Sequence, residues 1–223
     1  MRTRTDAGAL SAKTLTMTAM LCAIAFVAKL LSQVFPAVAG FLSFDLKDVI
    51  IVIGGFMMGP ATALLITVVV SLIEMLTVSS TGPIGLVMNI LASCSFACVA
   101  SLLYQRRRSM KNAVAGLIAG VLCMTAVMLL WNWLITPLYM KVPREVVTGM
   151  LLTTFLPFNL VKGGINATLA MLLYKPVVNA LRRAGLLEGA PSPKGSTRWS
   201  VIAVSALLLV TFLLLALVLA GVI

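Results

Sequence analysis

Hydrophobic runs recur along this chain, at about 15–35, 49–58, 61–76, 84–104, 113–135, 150–174 and 199–222, and they leave room for little else. A bilayer offers the backbone no hydrogen-bond partners, so only helices and closed barrels satisfy their own amides there, and a spanning helix needs about twenty apolar residues. With 61% hydrophobic residues in 223, the chain is expected to be an all-α, multi-pass membrane protein. No separate soluble domain fits, because the longest polar stretch runs only from about Arg182 to Arg198.

The second run, at 49–58, is too short to cross a full hydrocarbon core. Residues 45–77 therefore form either one long kinked crossing or two short helices joined at Met58-Gly-Pro-Ala61. Charge parity decides. Twelve of the seventeen Lys and Arg residues gather in three places: before the first run, at Arg106-Arg107-Arg108 with Lys111, and from Lys175 to Arg198. Basic segments stay cytoplasmic, so the first two clusters need an even number of crossings between them, which two short helices supply. The net charge of +11 is then a topology signal rather than a sign of nucleic-acid binding. The same logic sets the amino terminus in the cytoplasm and leaves 36–47, 77–83 and 137–148 as external connections. Ala37-Val-Ala39 before Gly40 resembles a signal-peptidase site, but the run ahead of it is longer than a usual signal core and reads as a retained span.

Within this topology the polar residues are one-sided. Asn159, Lys162, Gly163 and Asn166 fall on one face of a helix turning about 100° per residue. Asp45, Lys47, Asp48, Glu74, Asn89, Asn132 and Lys29 reach the same outer level from other helices. A lysine deep in hydrocarbon costs roughly 2.5–3.5 kcal/mol on insertion scales. Snorkelling or helix-to-helix glue explains single cases, whereas convergence on one side points to an outward pocket. Phe41, Phe44, Trp131, Trp133, Tyr139, Phe155 and Phe158 lie near that level too, as an interfacial belt or as walls for a planar ligand.

Several chemistries are excluded. The chain has no histidine, no CxxC and no P-loop, so a His-ligated metal, a Ser–His pair and P-loop ATP hydrolysis are all ruled out. Cys22, Cys94, Cys98 and Cys123 sit in apolar runs as small packing residues. Asp45 and Asp48 are the closest carboxylates, and at a helix start they suit the dipole or a ligand better than an acid–base dyad. We expect neither enzymatic activity nor a metal nor a resident cofactor.

Phe44-Asp-Leu-Lys-Asp48, Ile53-Gly-Gly-Phe-Met-Met-Gly-Pro60, Thr81-Gly-Pro-Ile-Gly85 with Asn89, Asn132 before Pro137-Leu-Tyr139, and Phe158-Asn-Leu-Val-Lys-Gly163 follow one another at successive helix ends. In order and spacing, over about residues 10–185, this set resembles the substrate-binding (S) component of energy-coupling factor (ECF) vitamin transporters, most closely the riboflavin-specific branch. The resemblance implies a six-helix S-component bundle in a bacterial cell membrane, capturing riboflavin from outside. Its partners would be a membrane-embedded coupling subunit and two cytoplasmic ATPases. It implies ligand contacts from Asn159 and Lys162, then Asn132 and Asn89; the shared outer level of the polar and aromatic residues adds Asp45 and Glu74 at the pocket and Phe44, Trp131 and Phe158 as apolar walls. Ala19-x-x-x-Ala23 would face the coupling subunit. The chain departs from the branch at Glu74-Met75, where a Lys-Asn pair often ends the third helix, and in a seventh apolar run. The expected organisation is a membrane domain over 1–185, a cytoplasmic linker over 186–198 and an additional transmembrane helix over 199–223. Another vitamin or precursor (folate, pantothenate, a modified base) and a structural or regulatory membrane protein remain the alternatives.

Overall fold

A computed structural model describes residues 12–39, 42–79, 81–183 and 199–222. The expected basic residues Arg2 and Arg4, the aromatic Phe41 and the linker 186–198 lie outside them. Among the described residues the chain is helical throughout: α1 (Ala12–Ser32), α2 (Lys47–Met58), α3 (Pro60–Thr77), α4 (Gly82–Arg106), α5 (Met110–Met140), α6 (Arg144–Met150), α7 (Leu156–Arg183) and α8 (Trp199–Leu219). One isolated bridge, Val38 with Leu42, pins the α1–α2 connection. Six segments are long and apolar enough to span a membrane, and α2 is not among them.

That exception organises the bundle. At 1.5 Å per residue, α2 is about 18 Å long, and every residue from Lys47 to Phe56 is buried. A helix apolar on all sides belongs inside a core, and α2 packs against α1, α3, α4 and α7. The 45–77 region is thus two helices. Gly59 turns the chain between them at φ 108°, a conformation open to glycine, and Pro60 starts α3 where its missing N–H costs nothing.

Close helix contact comes from small residues. A Cβ on Gly116 or Gly120 of α5 would stand 2.6 Å from the carbonyl oxygen of Ala100 or Phe96 on α4. The Gly-x-x-x-Gly spacing therefore lets the α4 and α5 backbones nearly touch.

The expected connection at 137–148 is largely helical instead. Helix α5 continues through Pro137 and ends at Lys141 in the left-handed conformation. Only residues 141–143 separate it from α6, and Arg144 then stacks over the Trp133 ring at 5.2 Å. Between α6 and α7 the backbone widens into a π-turn at Leu151–Phe155. Pro157 cannot donate to the preceding turn, and the Leu156 amide bonds back to Leu151 instead.

Helix α8 lies along α7. Its Phe212 ring sits on bare backbone at Gly164, where a Cβ would be 2.5 Å from Phe212 Cζ. We expect Gly164→Leu to force the two helices apart and lower the melting temperature in detergent, as overpacking by about 1–3 kcal/mol does. Adding Phe212→Ala should restore most of the loss. Unchanged melting in the single variant would mean that α8 does not rest on α7 there.

Candidate functional site

At the end of the bundle where α2 begins, four charged side chains from three helices and one loop form a closed network. Lys29 of α1 donates to Glu74 Oε1 at 2.9 Å and approaches Asp45 Oδ2 at 3.5 Å. Lys47, 1% exposed, contacts Asp45 Oδ2 at 3.0 Å and pairs with Glu74 in the last turn of α3. The sequence forces this meeting: Asp45 precedes α2 by two residues, and its Oδ1 accepts the Lys47 backbone N–H at 3.2 Å, capping a helix whose N-cap residue, Leu46, offers no side-chain oxygen. Each carboxylate is thus shared by two ammonium groups, the condition under which buried charge is tolerated.

The network extends to α4 and α7. Asp48 in the first turn of α2 accepts a hydrogen bond from Ser93 of α4, and its second oxygen is buried with no partner. Asn166 Nδ2 of α7 donates to the Asp45 carbonyl at 2.9 Å, tying the loop to that helix, and its own Oδ1 is likewise unpartnered. One turn earlier, the partly exposed Lys162 attracts both Asp45 and Asp48. Three lysines face three carboxylates, so the cluster is neutral within a chain of net charge +11.

The carboxamides are oriented by their own helices. Asn159 Nδ2 donates to the Phe155 carbonyl at 2.8 Å, in the turn that the π-widening creates. Asn132 Nδ2 donates to the Met128 carbonyl at 2.7 Å, and its Oδ1 accepts from Thr136 at 2.8 Å. Each keeps a free N–H, so each can still donate to a ligand. Beside them, Phe44 and Phe158 pack at 5.2 Å between ring centroids, and Phe35 meets Phe44 edge-on at 6.5 Å. Helix α8 backs this wall through Phe212 and Ala216.

Asp45 and Glu74 therefore meet at the start of α2, Phe44 packs on Phe158 beside Asp45, and Lys162 lies within electrostatic reach of Asp45, while Asn159 is buried on α7 and bonded to its own helix. Asn132 is buried in the carboxy-terminal part of α5, while Asn89 and Trp131 are only partly buried, and Trp131 leans on the main core rather than on the Phe44–Phe158 wall. Asp45 and Glu74 are committed to lysines rather than open to a ligand. Sequence places Lys29, Lys47 and Asn166 at this level without assigning them ligand contacts, and does not pick out Ser93. A lysine deep in an apolar helix, as at Lys29, was the usable signal. Ala19 and Ala23 are exposed on α1, turned away from the bundle. Among the described residues no group of His, Cys, Asp or Glu has the arrangement to hold a metal ion.

The family model for the substrate-specific component of ECF transporters matches residues 13–174. The riboflavin transporter RibU of Staphylococcus aureus is 30% identical over 177 residues, which cover 77% of this chain and 93% of that protein. The riboflavin transporter FmnP of Bacillus subtilis is 27% identical, over 77% of this chain and 97% of its own length. The solved S component of a bacterial ECF transporter superposes with a TM-score of 0.63 at 32% identity, across 76% of this chain and 97% of its own. The family match ends before α8. A multi-pass helical bundle with its buried charged residues gathered at one end, matched by this family over most of its length, identifies the chain as a substrate-specific component of an ECF transporter.

Proposed function

We propose that this chain captures riboflavin from the outside of a bacterial cell membrane and delivers it across with an ATP-driven module of one membrane-embedded coupling subunit and two cytoplasmic ATPases. The observation that carries the reading is the neutral polar cluster beside an aromatic wall. An isoalloxazine ring is planar and uncharged, so it suits the Phe44–Phe158 surface, and its carbonyl and ribityl oxygens accept hydrogen bonds. Lys162 and Asn159 donate to those oxygens, Asn132 and Asn89 complete the polar contacts, and Trp131 adds apolar surface. The unpartnered Asp48 and Asn166 oxygens are acceptors for ligand N–H or O–H groups, since buried polar atoms otherwise stand at a cost of about 1–3 kcal/mol. Balanced charge favours a neutral vitamin over a phosphate ester. The two relatives named as riboflavin transporters support the same ligand.

In this reading the amino terminus is cytoplasmic, residues 1–185 are the substrate domain, 186–198 a cytoplasmic linker and 199–223 an accessory span. The exposed Ala19 and Ala23 meet the coupling subunit, where small side chains let a foreign helix approach closely.

Purified protein is expected to quench flavin fluorescence on titration with riboflavin, and Lys162→Ala to weaken binding roughly tenfold to a hundredfold, the value of a charged hydrogen bond. Equal affinity in that variant would remove Lys162 from the pocket. Ala19→Trp with Ala23→Trp should leave the titration unchanged and abolish riboflavin uptake by cells carrying the whole transporter. Uptake at the wild-type rate would move the docking face elsewhere.

A further inference from the structure

At the end of the bundle opposite the ion network, a cavity of about 580 Å³ opens between α4, α5, α7 and α8. Its floor is aromatic: Phe56 lies 4.5 Å from the Tyr104 ring and 6.0 Å from that of Tyr174, and the two tyrosine hydroxyls share a hydrogen bond of 3.0 Å. Its sides are apolar, from Met110, Met171, Leu172 and, across on α8, Val201 and Ile202. Its rim is cationic, with Arg108, Lys111 and Lys175.

Charge separation along the bundle gives this rim its meaning. The acidic residues among those described are Asp45, Asp48, Glu74 and Glu145, and none lies at the cavity end. Arg106, Arg107 and Arg183 add to the same end. An apolar slot beneath a rim of positive charge is complementary to an amphiphile with an anionic head. Nothing in the vitamin site requires such a feature, because that site is neutral and at the other end.

We propose that this cavity binds an anionic phospholipid, with its phosphodiester on Arg108, Lys111 and Lys175 and an acyl chain along Met171 and Ile202. Helix α8 then supplies one wall of a lipid site, and residues beyond the family match acquire a role: the bound lipid bridges α7 to α8 at the end where their linker departs.

The test is native mass spectrometry of the purified full chain, released from nanodiscs that contain phosphatidylglycerol and phosphatidylcholine in equal amounts. The wild type is expected to retain phosphatidylglycerol over phosphatidylcholine by roughly tenfold, as a few juxtamembrane basic residues provide. Arg108→Gln with Lys111→Gln and Lys175→Gln should erase that preference, whereas Lys141→Gln with Arg144→Gln, at the other end, should keep it. Ile202→Trp, which fills the slot and leaves the charges in place, should also lose it. An equal yield of both lipids in the wild type overturns the proposal. So does a preference that survives Ile202→Trp, which would reflect surface charge alone. Stabilisation by inorganic phosphate that depends on the three basic residues, without retained lipid, would assign the site to a soluble phosphate instead.

Discussion

Two lysines and two carboxylates, shut away from solvent at one end of an apolar bundle, hold the rest of this structure in register. Lys29 belongs to α1, Lys47 to α2, Glu74 to α3 and Asp45 to the loop that Asn166 ties to α7. Losing any one member would leave a charge uncompensated where water cannot reach it, at a cost of about 3–5 kcal/mol. Burial of this kind is a poor source of net stability. It is an effective way to admit only one arrangement of four segments, because every misaligned packing strands a charge. Here the segments so aligned are those that carry the proposed ligand-facing groups.

The second constraint is the shortness of α2. A helix of 12 residues cannot reach both membrane faces, so it must be wrapped by others. Long helices around it supply the span, and small residues supply the closeness. Gly116 and Gly120 bring α5 against α4, and Gly164 receives Phe212 of α8. The proposed binding groups therefore rest on packed helices, and the amides of Asn132 and Asn159 are oriented by bonds within their own helices.

Much of this was legible from residues alone. Apolar runs gave the helices, and the parity of basic clusters separated two short helices from one kinked span at 45–77. The short α2 and the meeting of Asp45 with Glu74 at one level followed from that topology. What sequence could not supply was pairing. Nothing in the spacing says that Lys47 turns inward to Glu74, 27 residues on, or that Asn166 spends its amide on the Asp45 carbonyl 121 residues away. Sequence places a connection from 137, whereas α5 runs through Pro137 to Met140. The role of α8 was invisible for another reason: its uniform hydrophobicity gives no face to orient, and only the bare surface of Gly164 reveals where it rests.

A double-mutant cycle on the network tests this account most directly. Lys47→Met and Glu74→Met, made singly, should each weaken riboflavin binding and lower the melting temperature, since each strands a buried charge. Together they leave Lys29 balanced by Asp45, so the double variant should recover most of both losses. Additive losses in the double variant would contradict the account, because they would mean that each side chain acts by itself and that charge balance is not what holds the site together.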